Sequence, residues 1–81
     1  MAVTVDDVLN LMRTYAVPAE LVDRLDPAAS MAMQGVDSLA LTLVAMGLQH
    51  AYGIQLTVEE GLTLRTVEDV VVMLNNRLGT D

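Results

Sequence analysis

The residue of this chain whose setting points to covalent chemistry is Ser38, in the run Gly35-Val36-Asp37-Ser38-Leu39. Gly35 permits tight backbone approach, and Asp37 and Ser38 are both helix-capping types. From Leu39 onward the chain turns apolar and helix-compatible. A hydroxyl at such a helix start is expected to be exposed. It would lie beside free backbone N–H groups at the positive end of the helix dipole, a setting that favours a phosphodiester. The run suits attachment of a phosphate-linked group; its plainer meaning is a helix N-cap.

Other chemistries find no constellation. The sole histidine, His50, stands twelve residues further along the same expected helix, about 18 Å away at ~1.5 Å per residue. A Ser–His nucleophilic pair is therefore excluded if the helix is continuous. No second ligand type lies at useful spacing from His50, so no metal site is expected and the imidazole should face solvent. With no cysteine in the chain, there is no disulfide frame and no thiolate. Any thiol used in function must arrive on a cofactor. The acid pairs Asp6-Asp7, Glu59-Glu60 and Glu68-Asp69 fall at expected helix starts, where carboxylates favour the dipole. They are read as caps, and no catalytic residue is expected.

The net charge of -7, from eleven acids against four arginines, argues against nucleic acid and favours basic protein partners. The longest apolar stretch, Leu39 to Leu48, is interrupted by Thr42 and is too short to span a bilayer. Neither it nor the N-terminus reads as a targeting segment, so a cytoplasmic protein without membrane association is expected. Eighty-one residues suffice for a single domain, residues 1–81, near the size where one core is marginally sufficient. Tyr15 and Tyr52 are the sole aromatics, so the core must be Leu, Val, Ile, Met and Ala. Six methionines make it adaptable and suit plain gap filling.

The elements that must position Ser38 follow from capping and periodicity. Thr4-Val5-Asp6-Asp7 reads as a capping box that opens a first helix. Val8, Leu11, Met12 and Tyr15 recur there on one face, and Pro18 enforces a stop or kink nearby. Pro18 to Gln34 is a long connection, with room for a short helical piece over Ala19 to Leu25 and a turn at Asp26-Pro27. The second long helix should run from Ser38 to Ala51, closed by Tyr52-Gly53. Its core face is Leu41, Val44, Ala45, Leu48 and Tyr52. A short third helix starts at Thr57, limited by Gly61. The last starts at Thr66 with Asp69 reaching back, and its stripe is Val67, Val70, Val71 and Leu74, with Leu78 one turn further. The fold class is all-α: a compact four-helix bundle of three longer helices and one short one.

The second helix is apolar nearly all round. Leu39, Leu43, Met46 and His50 fall at helical spacing opposite its core stripe. This face is either covered by the Pro18 to Gln34 connection or is a docking surface.

Around Ser38 the sequence resembles the acyl carrier proteins. The serine follows Gly-x-Asp, Leu39-Ala40-Leu41 continues the helix, and Tyr52-Gly53-Ile54-Gln55-Leu56 and Thr66-Val67-Glu68-Asp69-Val70-Val71 come later. It looks most like the discrete carriers of type II (aromatic) polyketide synthases. The likeness is specific from Gly35 to Leu56 and looser over Thr57 to Leu78. It implies a carrier-type bundle and a 4'-phosphopantetheine arm from coenzyme A on Ser38, with Gly35, Asp37 and Leu39 as supporting motif residues. It also implies a monomeric carrier that catalyses nothing, holds fatty-acid or polyketide intermediates as thioesters, and has a Met-rich core able to part for an acyl chain. Its partners would be a phosphopantetheinyl transferase and synthase enzymes such as a ketosynthase or acyltransferase, docking at Leu39, Leu43 and Met46. Related carriers often bear acids along the exposed face of this helix and an Asp-Leu-Gly lead-in, whereas this chain has Leu43 and His50 on that face and Met33-Gln34 before Gly35. Two other readings stand beside it: an aminoacyl or peptidyl carrier of a nonribosomal pathway, and an unmodified helical interaction module in which Ser38 is only a cap.

Overall fold

The computed structural model describes residues 2–15 and 17–79. These described residues form five α-helices and one 3-10 turn: α1 (Val5–Thr14), α2 (Ala19–Arg24), the 3-10 turn Ala32–Gln34, α3 (Ser38–Tyr52), α4 (Val58–Leu62) and α5 (Val67–Leu78). There is no strand among the described residues. The three longer helices and the short α4 match the all-α bundle expected from periodicity. The helical piece foreseen in the long connection is α2, one residue shorter than expected.

Capping explains most helix starts. Thr4, Thr57 and Thr66 each accept from the backbone N–H three residues on, while the acids at those positions, Asp7, Glu60 and Asp69, accept from the capping residue's own N–H. Each reciprocal pair satisfies amides that a helix start otherwise leaves without partners. Gly53, at φ 63°, ends α3 in the left-handed conformation, which glycine adopts without a Cβ penalty.

Two boundary expectations need correction. Gly61 does not end α4 but lies inside it; the helix stops at Thr63, whose hydroxyl donates to the Glu60 carbonyl at 2.7 Å. Leu78 does not continue the buried stripe of α5: it is 39% exposed, being the final helical residue, in a turn that lies outside the core cluster.

The core is aliphatic throughout. Val8, Leu11 and Met12 of α1 pack with Val44 and Leu48 of α3 and with Val67, Val70 and Leu74 of α5. Helix α1 is the hub, in contact with α5, α2 and α3. Full burial of side chains such as Met12, Leu48 and Leu74 contributes about 1.5 to 3 kcal/mol each. The N-terminal segment is pinned to α5 through Val3, whose N–H donates to Asn75 Oδ1 at 2.8 Å and whose carbonyl accepts from Asn75 Nδ2 at 3.1 Å. No helix among the described residues is long and apolar enough to cross a membrane.

Candidate functional site

Asp37, not Ser38, takes the cap of α3. Its backbone is extended (φ -77°, ψ 172°), and its Oδ1 accepts from the Ala40 N–H at 2.8 Å. Ser38 is thereby displaced into the first helical position, where its side chain is exposed. Its carbonyl accepts from the Thr42 hydroxyl at 2.9 Å, but among the described residues its own hydroxyl has no hydrogen-bond partner. The amides of Ser38 and Leu39 likewise find no protein acceptor there. One unengaged hydroxyl therefore stands beside N–H groups at the positive end of a fifteen-residue helix, an arrangement that favours a phosphodiester.

The approach to Ser38 is built from both sides of Gly35. Gly35 closes the 3-10 turn at φ 105°, with its N–H on the Ala32 carbonyl; a side chain there would be strained. Val36, one step on, is buried, and its N–H returns to the Met31 carbonyl at 3.1 Å. Met31 is itself buried, and its N–H donates to the Arg65 carbonyl at 2.9 Å. A second backbone bond, from Glu68 N–H to the Pro27 carbonyl at 3.0 Å, ties the same connection to the start of α5.

Gln34 is the residue that sequence reasoning missed. Its Oε1 accepts from the Asp26 N–H at 2.8 Å, and its Nε2 faces the carbonyls of Asp26, Ala29 and Ser30 at 3.0 to 3.3 Å. A single amide side chain, supplying both donor and acceptor, thus folds residues 26–30 against the turn that leads to Ser38. Nothing in periodicity marks such a role. The available signal was a lone glutamine before Gly35 in a stretch otherwise rich in Ala and Met.

A groove of about 340 Å³ opens next to Ser38. Leu41, Ala45 and Met46 of α3 line one side, and Leu56, Val58 and Leu62 the other. Ala45, expected on the core face, is half-buried and lines this groove instead. The proposed docking residues divide. Leu39 and Met46 are 68% and 59% exposed, so the connection does not cover them, while Leu43 is half-buried but not packed on the core. His50 is exposed near the far end of the unbroken α3, so the helix keeps it from Ser38. Tyr52 is half-buried where α3 closes; burial first and the nearby Asp7 carboxylate second raise its phenol above the ordinary 10.0.

Comparison with known proteins bears on this geometry. The family model described as "phosphopantetheine attachment site" matches residues 6–74. Acyl carrier protein 2, chloroplastic, of Arabidopsis thaliana is 31% identical over 75 residues, covering 93% of this chain and 54% of that protein. The chain thus spans about half the length of this curated relative. No solved structure gives a significant match.

Proposed function

Since the chain belongs to the phosphopantetheine attachment-site family, we propose that it is an acyl carrier protein whose arm is attached at Ser38. Members of this family bear 4'-phosphopantetheine covalently and act as carriers rather than catalysts. The observation that carries the assignment is the Ser38 hydroxyl: exposed, unengaged, and released from capping by Asp37. The residues fit the group, with an unbonded nucleophilic oxygen, free amides beside it, and an apolar groove next to it.

In the modification, Ser38 Oγ forms a bond to the pantetheine-linked phosphorus of coenzyme A, and the bond from that phosphorus to the adenosine bisphosphate breaks. The hydroxyl proton leaves to a base of the transferase. When bound, the group would supply the terminal thiol that this cysteine-free chain lacks, suited to carrying acyl groups as thioesters. Asp37 fixes the first turn, so Ser38 keeps one orientation toward the transferase.

The finer reading is a carrier of the aromatic polyketide type, supported by Asp37-Ser38-Leu39-Ala40-Leu41 and Tyr52-Gly53-Ile54. Its synthase partners, among them a ketosynthase or acyltransferase, would dock on exposed Leu39 and Met46 with Leu43 between them. Residues 1–81 form one monomeric carrier domain in this reading.

Incubation with coenzyme A and a broad-specificity phosphopantetheinyl transferase, followed by intact mass, tests the assignment. The parent gains one 4'-phosphopantetheine and Ser38→Ala gains none. An unmodified parent, or a modified Ser38→Ala chain, overturns it.

A further inference from the structure

We propose that Arg77 is a tether that fixes α4, the movable wall of the groove beside Ser38. Helix α4 has five residues and none is buried; Val58 and Leu62 are 77% and 71% exposed. Its capping box, Thr57 with Glu60, orders it internally but joins it to no other element. Half-buried Leu56 and Leu64, just before and after it, pack on the core. The helix is therefore anchored at its ends and loose in between.

Arg77 reaches this element from the last turn of α5. Its Nη1 donates to the Gln55 carbonyl at 2.7 Å, and its Nη2 pairs with Glu60 Oε2. One rigid guanidinium fork thus holds both the entry to α4 and its middle, which a flexible ammonium could not do with the same geometry. Among the described residues, the other polar link to this element is longer: the Leu56 N–H donates to Gln49 Oε1 at 3.2 Å.

Helix α4 also stands between two open spaces. On one side is the Ser38 groove, and on the other a groove of about 480 Å³ lined by Glu60, Leu64, Val72, Met73 and Arg77. With space on both flanks and little apolar burial, α4 has the features of a segment that opens locally without global unfolding. A partly exposed ion pair contributes little to global stability, so the tether governs this local opening. When it releases, α4 moves and the floor of the Ser38 groove, including Ala45, is uncovered.

The tether depends on the groove and not on attachment at Ser38, so it is tested on the unmodified chain. Arg77→Met keeps the aliphatic stem and removes the fork, whereas Glu60→Gln keeps the capping box and removes the charge. In both, the amides of Gly61, Thr63 and Leu64, which bond across α4, should exchange with deuterium about tenfold faster than in the parent. Amides in the middle of α1 and α5 should not change. Because the chain has no cysteine, Ala45→Cys adds one thiol on the groove floor. Its alkylation should be about fivefold faster in the Arg77→Met background, and 1 M salt, on the order used to screen ion pairs, should speed the tethered parent and not the variant. Arg77→Lys should fall between parent and Arg77→Met. If Arg77→Met loosens the whole fold, shown by faster exchange in α1, Glu60→Gln alone decides the matter. Unchanged α4 exchange in Glu60→Gln, or an Ala45→Cys rate indifferent to Arg77, overturns the proposal.

Discussion

The ring of Tyr15 lies directly across Gly47: a Cβ on the glycine would stand 2.6 Å from Tyr15 Cδ2 and 2.7 Å from Cγ. The contact brings the end of α1 close to the middle of α3, and it explains why a glycine is buried in the centre of the helix that presents Ser38. Glycine there forfeits about 1 kcal/mol of helix propensity relative to alanine, and the close approach of the ring offsets that loss.

Gly47→Ala should therefore destabilise the parent by about 1 to 3 kcal/mol through overpacking. In a Tyr15→Ala background the same change should become neutral or stabilising, since only the propensity gain remains. Denaturant melts of the four-member cycle check this, and additivity of the two changes would show that ring and glycine are uncoupled.

Leu48 is 1% exposed at the centre of the core face of α3. Leu48→Ala should cost about 2 to 5 kcal/mol from lost burial and the residual cavity. A chemical melt showing less than ~0.5 kcal/mol, the range of surface substitutions, would contradict the packing described for α3.

Asp37→Ala removes the one side-chain cap of α3 and should lower stability by about 1 kcal/mol, while Asp37→Asn should retain most of it. The rate of transferase modification should fall with Asp37→Ala, because Ser38 loses the fixed first turn. Equal rates for Asp37→Ala and the parent would separate the cap from the reaction.

Met46→Glu should leave stability within about 0.5 kcal/mol of the parent, as exposed changes do, whereas half-buried Leu43→Glu should cost more. If partners dock on this face, both should weaken acyl transfer to or from a synthase enzyme about tenfold, equivalent to ~1.4 kcal/mol. Transfer kinetics unaffected by either substitution would place docking elsewhere.

Tyr52 supplies a pH dependence. Its phenol is raised in the folded state, so above its ordinary 10.0 the unfolded chain ionises first and stability declines as pH rises through the folded value. Below that range the contribution is fully present. Tyr52→Phe should make the alkaline decline shallower in melts recorded at rising pH, and an identical slope would mean that Tyr52 is not its source.

The sequence made much of this molecule legible where a local rule decides the outcome. The threonine-acid capping boxes opening α1, α4 and α5, and the glycine ending α3, each depend on a few adjacent residues, and each stands where expected. Ser38 at the start of a long helix was readable for the same reason. Features set by distant segments were not. Gln34 bonds a loop that precedes it, Arg77 reaches back to Gln55 and Glu60, and Leu78 falls outside the core although its spacing suits burial. Whether the face of α3 was covered depended on the path of residues 18–34, which no periodicity specifies; that path leaves Leu39 and Met46 open.

The backbone bond from Met31 to Arg65, carried on through Val36 to the capped start of α3, has a consequence in time. It joins segments widely separated along the chain, and such closures are entropically costly and characteristic of slower folding steps. The turn that presents Ser38 should thus reach its final shape only after the α4–α5 connection has been made and docked. A transferase that requires this turn would then pass over a chain in which that closure is unmade, making modification itself a report that these two distant segments have joined.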